Sequence, residues 1–403
     1  MSDRAFAADS ALLARLPAES AVLALTASGP AGDSTLEAAL RRPLQWEMLL
    51  AKAGRERALA PVFERLQRVR PSVADPEEMA RMQRMAWVSE FQLASLHDRL
   101  TRLLAVYAAA RVEVLLLKGA GLAYSAYATP SERPMGDIDL LVRGDAAGRA
   151  FALALANGWR RRSDVPEDRS YDAHQHLAPL EDADGLQIGL ELHTALFTAQ
   201  SPFRFDASTL WAGARRITIG GSPAFVPSAE AQLVHAALHF AWSHEMAFGA
   251  WRTWRDIERI VASGAVDWPA LVRSARESGG ATCCFWALRL ARDAAGVAVP
   301  EEVLSALAPP LPRTILRRLA FHYVDQALPS GATARTSVSV SRALWGLGIQ
   351  PRRAGHGTSR PWLETDEWAP RPDDGDDSWA APPRRLLQRS VRLVRSVASL
   401  IHV

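Results

Sequence analysis

The sequence predicts an α+β fold in which a small mixed β-sheet lies between an N-terminal and a C-terminal helical region. Apolar residues recur at helical spacing through the first 110 residues and again from about residue 226. Between these regions, an apolar run at residues 112–117 and the segment RPMGDIDLLV are separated by glycine and polar turns, as strands are. This change of period, from helix to strand and back to helix, sets the fold class.

The same patterns divide the chain into five segments. Residues 1–110 form a helical region, residues 111–225 carry the sheet, and residues 226–330 form a second helical region. Residues 331–382 are polar and rich in Gly and Pro, which predicts a flexible linker with a short ordered piece around residues 343–347. Residues 383–403 alternate arginine with apolar residues at helical spacing and predict a basic amphipathic helix. That helix could pack on the body or on another subunit, attach to a membrane surface or an acidic partner, or remain disordered.

One long helix is expected at residues 77–110, directly before the first strand. Its apolar residues form a stripe that we expect to be buried beside the sheet. The stripe comprises Trp87, Phe91, Leu93, Leu96, Leu100, Leu103, Leu104 and Tyr107.

Composition restricts the class of protein. A length of 403 residues accommodates two or three domains, and 48% hydrophobic with 23% charged residues is typical of soluble globular proteins. A formal charge of +3 is small for this length and does not favour nucleic acid as a partner. The two cysteines, Cys283 and Cys284, are adjacent and poorly placed for a structural disulfide, so we expect reduced thiols and a cytoplasmic location. We expect neither a secretory signal nor a transmembrane helix.

Two carboxylates in the second predicted strand are the strongest functional signal. Asp137 and Asp139 are two residues apart, so a strand places both side chains on one face. Adjacent acids need a counter-charge, and a divalent cation is a common one because hard cations prefer oxygen ligands. The preceding strand ends at Lys118-Gly119, where glycine would let a backbone approach a phosphate. The pattern predicts a site for a metal ion and a phosphate.

Two further strands are expected around residues 174–180 and 186–192, joined by the turn signal Asp184-Gly185. In the second of them, alternation places Glu191 and His193 on the face opposite the apolar residues, which we expect to be open. His174 and His176 share a face of the first and could line the same cleft. The helical pair His235 and His239 has metal-compatible spacing but lacks the glutamate of a zinc-protease motif.

The segments LLLKGAGL, RPMGDIDLLV and ELH together resemble the bacterial family of uncharacterised nucleotidyltransferases, within the DNA polymerase β-like superfamily. The likeness extends from about residue 46 to about residue 280. It implies transfer of a nucleoside monophosphate from a triphosphate such as ATP, with two Mg²⁺ ions. The acceptor stays open among a small molecule, a peptide and a protein.

The resemblance assigns roles to six residues. It implies that Asp137 and Asp139 bind the metal ions, and that Glu191 serves as the third ligand or as the base that deprotonates the acceptor. The triphosphate would then be held by a second set of three residues: Lys118, Gly119 and Arg133. The superfamily often has Gly or Ser after this glycine, whereas this chain has Ala120, so a phosphate-binding hydroxyl is missing.

Two other functions fit the same residues. A non-catalytic relative could bind nucleotide and regulate a partner, which Ala120 and the glutamate at position 191 would favour. An antitoxin-type enzyme could instead modify a protein partner with a nucleotide.

Overall fold

The computed structural model describes residues 8–70, 76–163, 165, 171, 174–199, 201–328 and 338–351. The N-terminal region is helical, as predicted. Its helices are α1 (Ser10–Arg15), α2 (Ala18–Thr26), α3 (Asp33–Ala39), α4 (Trp46–Arg55), α5 (Leu59–Val69) and the long α6 (Pro76–Ala109).

A seven-stranded sheet follows, and three helices lie between its strands along the chain. The strands are β1 (Val114–Leu116), β2 (Asp137–Val142), β3 (Trp159–Arg161), β4 (Leu180–Asp182), β5 (Gly189–His193), β6 (Arg215–Ile219) and β7 (Ser222–Val226). The helices among them are α7 (Lys118–Ala123), α8 (Ala147–Ala156) and α9 (Ala207–Ala212). The spatial order is β3-β4-β5-β2-β1-β7-β6. Strand β2 pairs parallel with β5 and antiparallel with β1, so the sheet is mixed, as predicted.

The C-terminal region returns to helix. It comprises α10 (Ala229–Leu238), a π-helical turn (His239–Ser243), α11 (Ala250–Ala262), α12 (Trp268–Glu277), α13 (Ala281–Ala295), α14 (Glu301–Leu307) and α15 (Arg313–Ala327). A further helix, α16 (Val338–Gly348), includes the short ordered piece expected around residues 343–347. The rest of the predicted linker and the predicted basic helix at 383–403 lie outside the described residues.

The sheet has two differently covered faces because side chains alternate along each strand. Ile138, Leu140 and Val142 of β2 are buried against α8 and the C-terminal half of α6. On the opposite face, Leu115 and Leu141 join the large apolar core shared by the N- and C-terminal helical regions. The acidic residues of β2 also occupy this second face. The functional residues are therefore positioned between the sheet and the surrounding helices.

The burial predicted for the α6 stripe is wrong at two positions. Trp87 is 57% exposed and Phe91 is 67% exposed, whereas Leu93, Leu100 and the residues further along the stripe are buried. At 3.6 residues per turn, Trp87 lies about 100° around the helix from the buried Ala86. The apolar residues of this 34-residue helix therefore lie on two different faces, and only one of these faces packs against the core.

The strand bounds also differ from the prediction. Strands β4 and β5 are shorter than expected and begin later, and an isolated bridge between His176 and His193 replaces the first part of the predicted strand at 174–180. The hairpin β6–β7 was not resolved by the sequence pattern. It turns at Gly220 and Gly221, whose φ values of +53° and +81° suit glycine.

Candidate active site

The parallel pairing of β2 with β5 brings two acids together. Asp139 is the register partner of Glu191, so both side chains rise from neighbouring positions on the same face. Asp139 is 2% exposed, and the side chain of Glu191 is 26% exposed. Ligand atoms of Asp139, Glu191 and His193 lie within 4.8 Å of one another. This is a geometry in which oxygen and nitrogen donors can converge on one cation.

Lys118 supplies a positive charge to these acids. Its Nζ lies 2.6 Å from Oδ1 of Asp139 and 3.6 Å from Oε2 of Glu191. Burial alone would lower the pKa of Lys118, but the charges of Asp139 and Glu191 outweigh that effect and raise it. The ammonium group of Lys118 thus lies between the two carboxylates, at a position that a metal ion could also occupy.

Asp139 is the most strongly stabilised anion of the site. Burial works against its charge, yet Lys118 and the hydrogen bond from His193 hold the pKa of Asp139 well below its usual value. His193 Nε2 lies 3.0 Å from Asp139 Oδ1 and 3.3 Å from Glu191 Oε2. Burial lowers the pKa of His193, but its hydrogen bonds to the two carboxylates produce a net increase. Lys118 and His193 together therefore favour the ionised form of Asp139.

Asp137 begins β2, and part of its surface is exposed to solvent. Its carboxylate is nevertheless surrounded by other groups of the protein, so partial desolvation raises the pKa of Asp137, and the negative charge of Asp139 adds to this increase. Lys118 and Arg57 act in the opposite direction. Asp137 is therefore the accessible acid and Asp139 the buried one, two residues apart on one strand.

The turn after β1 is tight and strained. Lys118 has a φ of +43°, in the region that non-glycine residues rarely adopt. A Cβ at Gly119 would lie 3.0 Å from Cβ of Met135, and one at Gly121 would lie 2.5 Å from the carbonyl oxygen of Leu116. The two glycines allow α7 to pack closely on β1 and on the segment before β2. Strain of this kind persists where the surrounding structure fixes it, commonly at functional sites.

One comparison with known proteins identifies the family of this chain. A family model described as "Uncharacterised nucleotidyltransferase" matches residues 42–296, more than half of the 403 residues. The chain belongs to this family. Membership indicates a transferase that acts in nucleotidyl transfer. Neither the curated proteins nor the solved structures include a significant match to the chain.

In this nucleotidyltransferase, Arg133 lies in a buried ion pair. Its Nε and Nη2 donate to the two carboxylate oxygens of Asp256 at 2.6 and 2.8 Å, and Tyr127 donates to the same carboxylate at 2.7 Å. Nη1 donates to the carbonyl of Pro134 and lies beside Gly119. Most donors of Arg133 are therefore engaged, and its side chain joins α11 to the segment that leads into β2.

The structure brings together Lys118, Asp137, Asp139 and Glu191 as predicted from the sequence. His193 differs from the prediction because it is 2% exposed rather than on an open face. The ring of His176 covers it at a centroid distance of 5.4 Å, and the isolated bridge between the two residues fixes this contact. Alternation along β5 identified the face of His193 but could not reveal this covering segment.

The helical histidines His235 and His239 lie within electrostatic range of Lys118, and among the described residues they belong to no metal-binding group. Burial lowers the pKa of His235 to about 3, and the positive charge of Lys118 contributes. The pKa of His239 is also lowered, by burial and then by Lys118. Among the described residues, the group whose donors converge within reach of one ion is Asp139, Glu191 and His193.

No helix in the described ranges combines the length and apolar character needed to cross a bilayer.

Proposed function

We propose that this protein is a Mg²⁺-dependent nucleotidyltransferase of the polymerase β-like type. It would transfer a nucleoside monophosphate, for example from ATP, to a small-molecule, peptide or protein acceptor. The observation that carries the proposal is the register of β2 and β5, which sets Asp139 beside Glu191 and leaves Asp137 accessible on the same face. Acids from two paired strands then lie side by side on one face of the sheet.

The donor set fits magnesium. Carboxylate oxygens are the protein ligands that hard divalent cations prefer, and Asp137, Asp139 and Glu191 provide them. The position of the Lys118 ammonium, between Asp139 and Glu191, supports the view that this point in the site accommodates a positive charge. When bound, Mg²⁺ would stabilise negative charge on the phosphate and on the entering and leaving oxygens.

The residues of the chain supply the remaining chemistry. The acceptor oxygen forms a bond to the α-phosphorus while the bond to the bridging α–β oxygen breaks, and pyrophosphate leaves. Glu191 is half-buried, so that an Oε atom can take the acceptor proton. Under this proposal Gly119 and Lys118 border the triphosphate, and Arg133, held by Asp256, donates from beside Gly119.

The test is transfer of label from α-³²P nucleoside triphosphates to components of a cell extract, or to the protein itself. The variants Asp137→Asn and Asp139→Asn keep the side-chain shape and remove the charge, so we expect transfer to fall by about 10² or more. Asp145→Asn, an exposed acid beyond β2, is the matched control and should retain transfer. Equal labelling by wild type and both site variants would refute the catalytic assignment.

One observation favours the non-catalytic alternative. Lys118 already neutralises Asp139, and a buried pair of this kind can be complete without a metal ion. Under that alternative the protein would bind nucleotide and would release no pyrophosphate with any acceptor. Calorimetric titration with ATP, followed by a pyrophosphate-release assay on the same sample, separates the two functions.

A further inference from the structure

The turn between α4 and α5 carries an arginine to the start of β2. Arg57 has a φ of +56°, which is costly for a residue other than glycine. A Cβ at Gly136 would overlap the guanidinium of Arg57, so that group lies directly on the backbone of the residue before Asp137. Its positive charge acts on Asp137. A strained turn of the N-terminal helical region thus places a cation at the edge of the acidic site.

A buried glutamate holds this turn in position. Glu56 is 2% exposed and accepts a hydrogen bond of 3.1 Å from the backbone N–H of Trp251, in the first turn of α11. Free N–H groups at a helix start are good partners for a carboxylate. The same end of α11 carries Arg252, whose Nη2 would lie 3.3 Å from a Cβ at Gly249. Glu56 therefore couples the turn that bears Arg57 to the helix that bears Arg252.

Neither of these two guanidinium groups has a strong partner. Within the described part of the chain, the guanidinium groups of Arg57 and Arg252 make no hydrogen bond and no ion pair, whereas that of the neighbouring Arg133 is held by Asp256. Burial lowers the pKa of Arg252, and the positive charges of Arg133 and Arg57 add to that effect, although Glu56 and Asp256 oppose it. Three guanidinium groups therefore lie within electrostatic range of one another, and only that of Arg133 is held by a bidentate carboxylate.

We infer that Arg57 and Arg252 bind the β- and γ-phosphates of the nucleoside triphosphate. The guanidinium fork matches phosphate oxygens, and two such forks within electrostatic range of each other, one of them beside Asp137, suit a chain of two or three phosphates. The α-phosphorus would then lie over the acids while the leaving pyrophosphate points to the helical regions. The inference takes its ligand from the proposed function and adds the residues that hold the leaving group.

The test is calorimetric binding of inorganic tripolyphosphate in EDTA, so that no metal ion contributes. Wild type should bind, and Arg57→Gly and Arg252→Ala should each weaken binding roughly tenfold or more. Glycine suits the positive φ of residue 57, so Arg57→Gly removes the charge without loss of folding. The matched control is Arg55→Ala on the same turn, because the guanidinium of Arg55 covers the ring of Phe248 and donates to Ala247 instead.

A second variant moves Arg57 without removing it. Gly136→Ala places a methyl group where the guanidinium lies, so tripolyphosphate binding should weaken while the charge count is unchanged. ATP should displace tripolyphosphate from wild type and bind more tightly than it does, because a nucleotide site also contacts the base and the ribose, whereas a free-polyphosphate site would favour tripolyphosphate.

Absence of wild-type binding, failure of ATP to compete, or unchanged affinity in both arginine variants overturns the inference. Each of these results would overturn the inference even if the label-transfer assay showed catalysis. Arginine-dependent binding without label transfer supports the phosphate site and counts against catalysis, so the two failures are distinguishable.

Discussion

Lys118 and Asp139 form an ion pair at the centre of the acidic site, with Nζ 2.6 Å from Oδ1. The ammonium competes with any divalent cation for the same carboxylate oxygen. We therefore expect Lys118→Met to increase the affinity for Mn²⁺, a spectroscopic substitute for Mg²⁺, by roughly tenfold, the value of one charge-assisted hydrogen bond. Electron paramagnetic resonance of free Mn²⁺ measures this affinity directly.

The control for that measurement is Lys118→Arg, which keeps the positive charge and should keep the affinity near that of wild type. The Met variant should also lose nucleotidyl transfer if Lys118 contacts the phosphates. Unchanged or weaker Mn²⁺ binding in Lys118→Met would show that the ammonium does not occupy a cation position.

His193 makes stability depend on pH. Its pKa is raised in the folded protein because Asp139 and Glu191 accept its hydrogen bonds, despite the opposing effect of burial. The stabilisation is fully present below the unfolded pKa of about 6.5 and is lost as pH rises through the higher folded pKa. The difference in unfolding free energy between wild type and His193→Gln should therefore be larger at about pH 5.5 than at about pH 9, in EDTA.

His97 provides a control of opposite sign. Burial lowers the pKa of His97, although its hydrogen bond to the carbonyl of Pro130 offsets part of the change. The unfolded chain then binds the proton more readily, so wild type loses stability relative to His97→Gln as pH falls. The same slope for both histidine variants would contradict the assignment of His193.

The faces on which the acidic residues lie could be predicted from the sequence because alternation along a strand is local. Alternation along β2 fixes the shared face of Asp137 and Asp139, and alternation along β5 places Glu191 on one side of its strand. These two alternations depend on a period of two residues and survive errors of several residues in the strand bounds. The parallel register that joins Asp139 to Glu191 is not local, and the sequence implied a neighbouring strand for Glu191 only through the family resemblance.

Features set by tertiary packing could not be predicted in this way. Arg57 lies 80 residues before Asp137, and only the docking of the α4–α5 turn on Gly136 brings them together. The exposure of Trp87 and Phe91 depends on where the core beside α6 ends. Likewise, no local pattern indicates that Asp256 of α11 pairs with Arg133. The sequence around Arg133 does not indicate which acidic residue pairs with it.

The buried pair of Arg133 and Asp256 should dominate the link between α11 and the segment before β2. Asp256→Asn leaves a buried guanidinium without its counter-charge, so we expect a loss of about 3–5 kcal/mol in the free energy of unfolding. Urea denaturation followed by tryptophan fluorescence measures the loss. Glu37→Gln, in the exposed pair with Arg41 at 3.6 Å, should cost no more than about 1 kcal/mol. Similar losses for the two variants would mean that Asp256 does not compensate a buried charge.

The close approach of α7 to β1 gives a prediction about glycine. A Cβ at Gly121 would lie 2.5 Å from the carbonyl oxygen of Leu116, a backbone atom that cannot move without shifting β1. Gly121→Ala should therefore destabilise the protein by about 1–3 kcal/mol, the usual cost of overpacking, and should disturb Lys118 at the start of the same helix. Thermal unfolding followed by circular dichroism measures the stability change.

Gly148 of α8 is the matched control for this substitution. No atom lies within 4 Å of a Cβ built there, and the residue is exposed within a helix. Gly148→Ala should stabilise the protein by about 0.5–1 kcal/mol, because alanine loses less backbone entropy than glycine in a helix. The two variants carry the same chemical change on neighbouring helices, so opposite signs would isolate the steric contact with Leu116. A stable Gly121→Ala variant with unaltered tripolyphosphate binding and label transfer would show that the site tolerates a wider separation of α7 and β1.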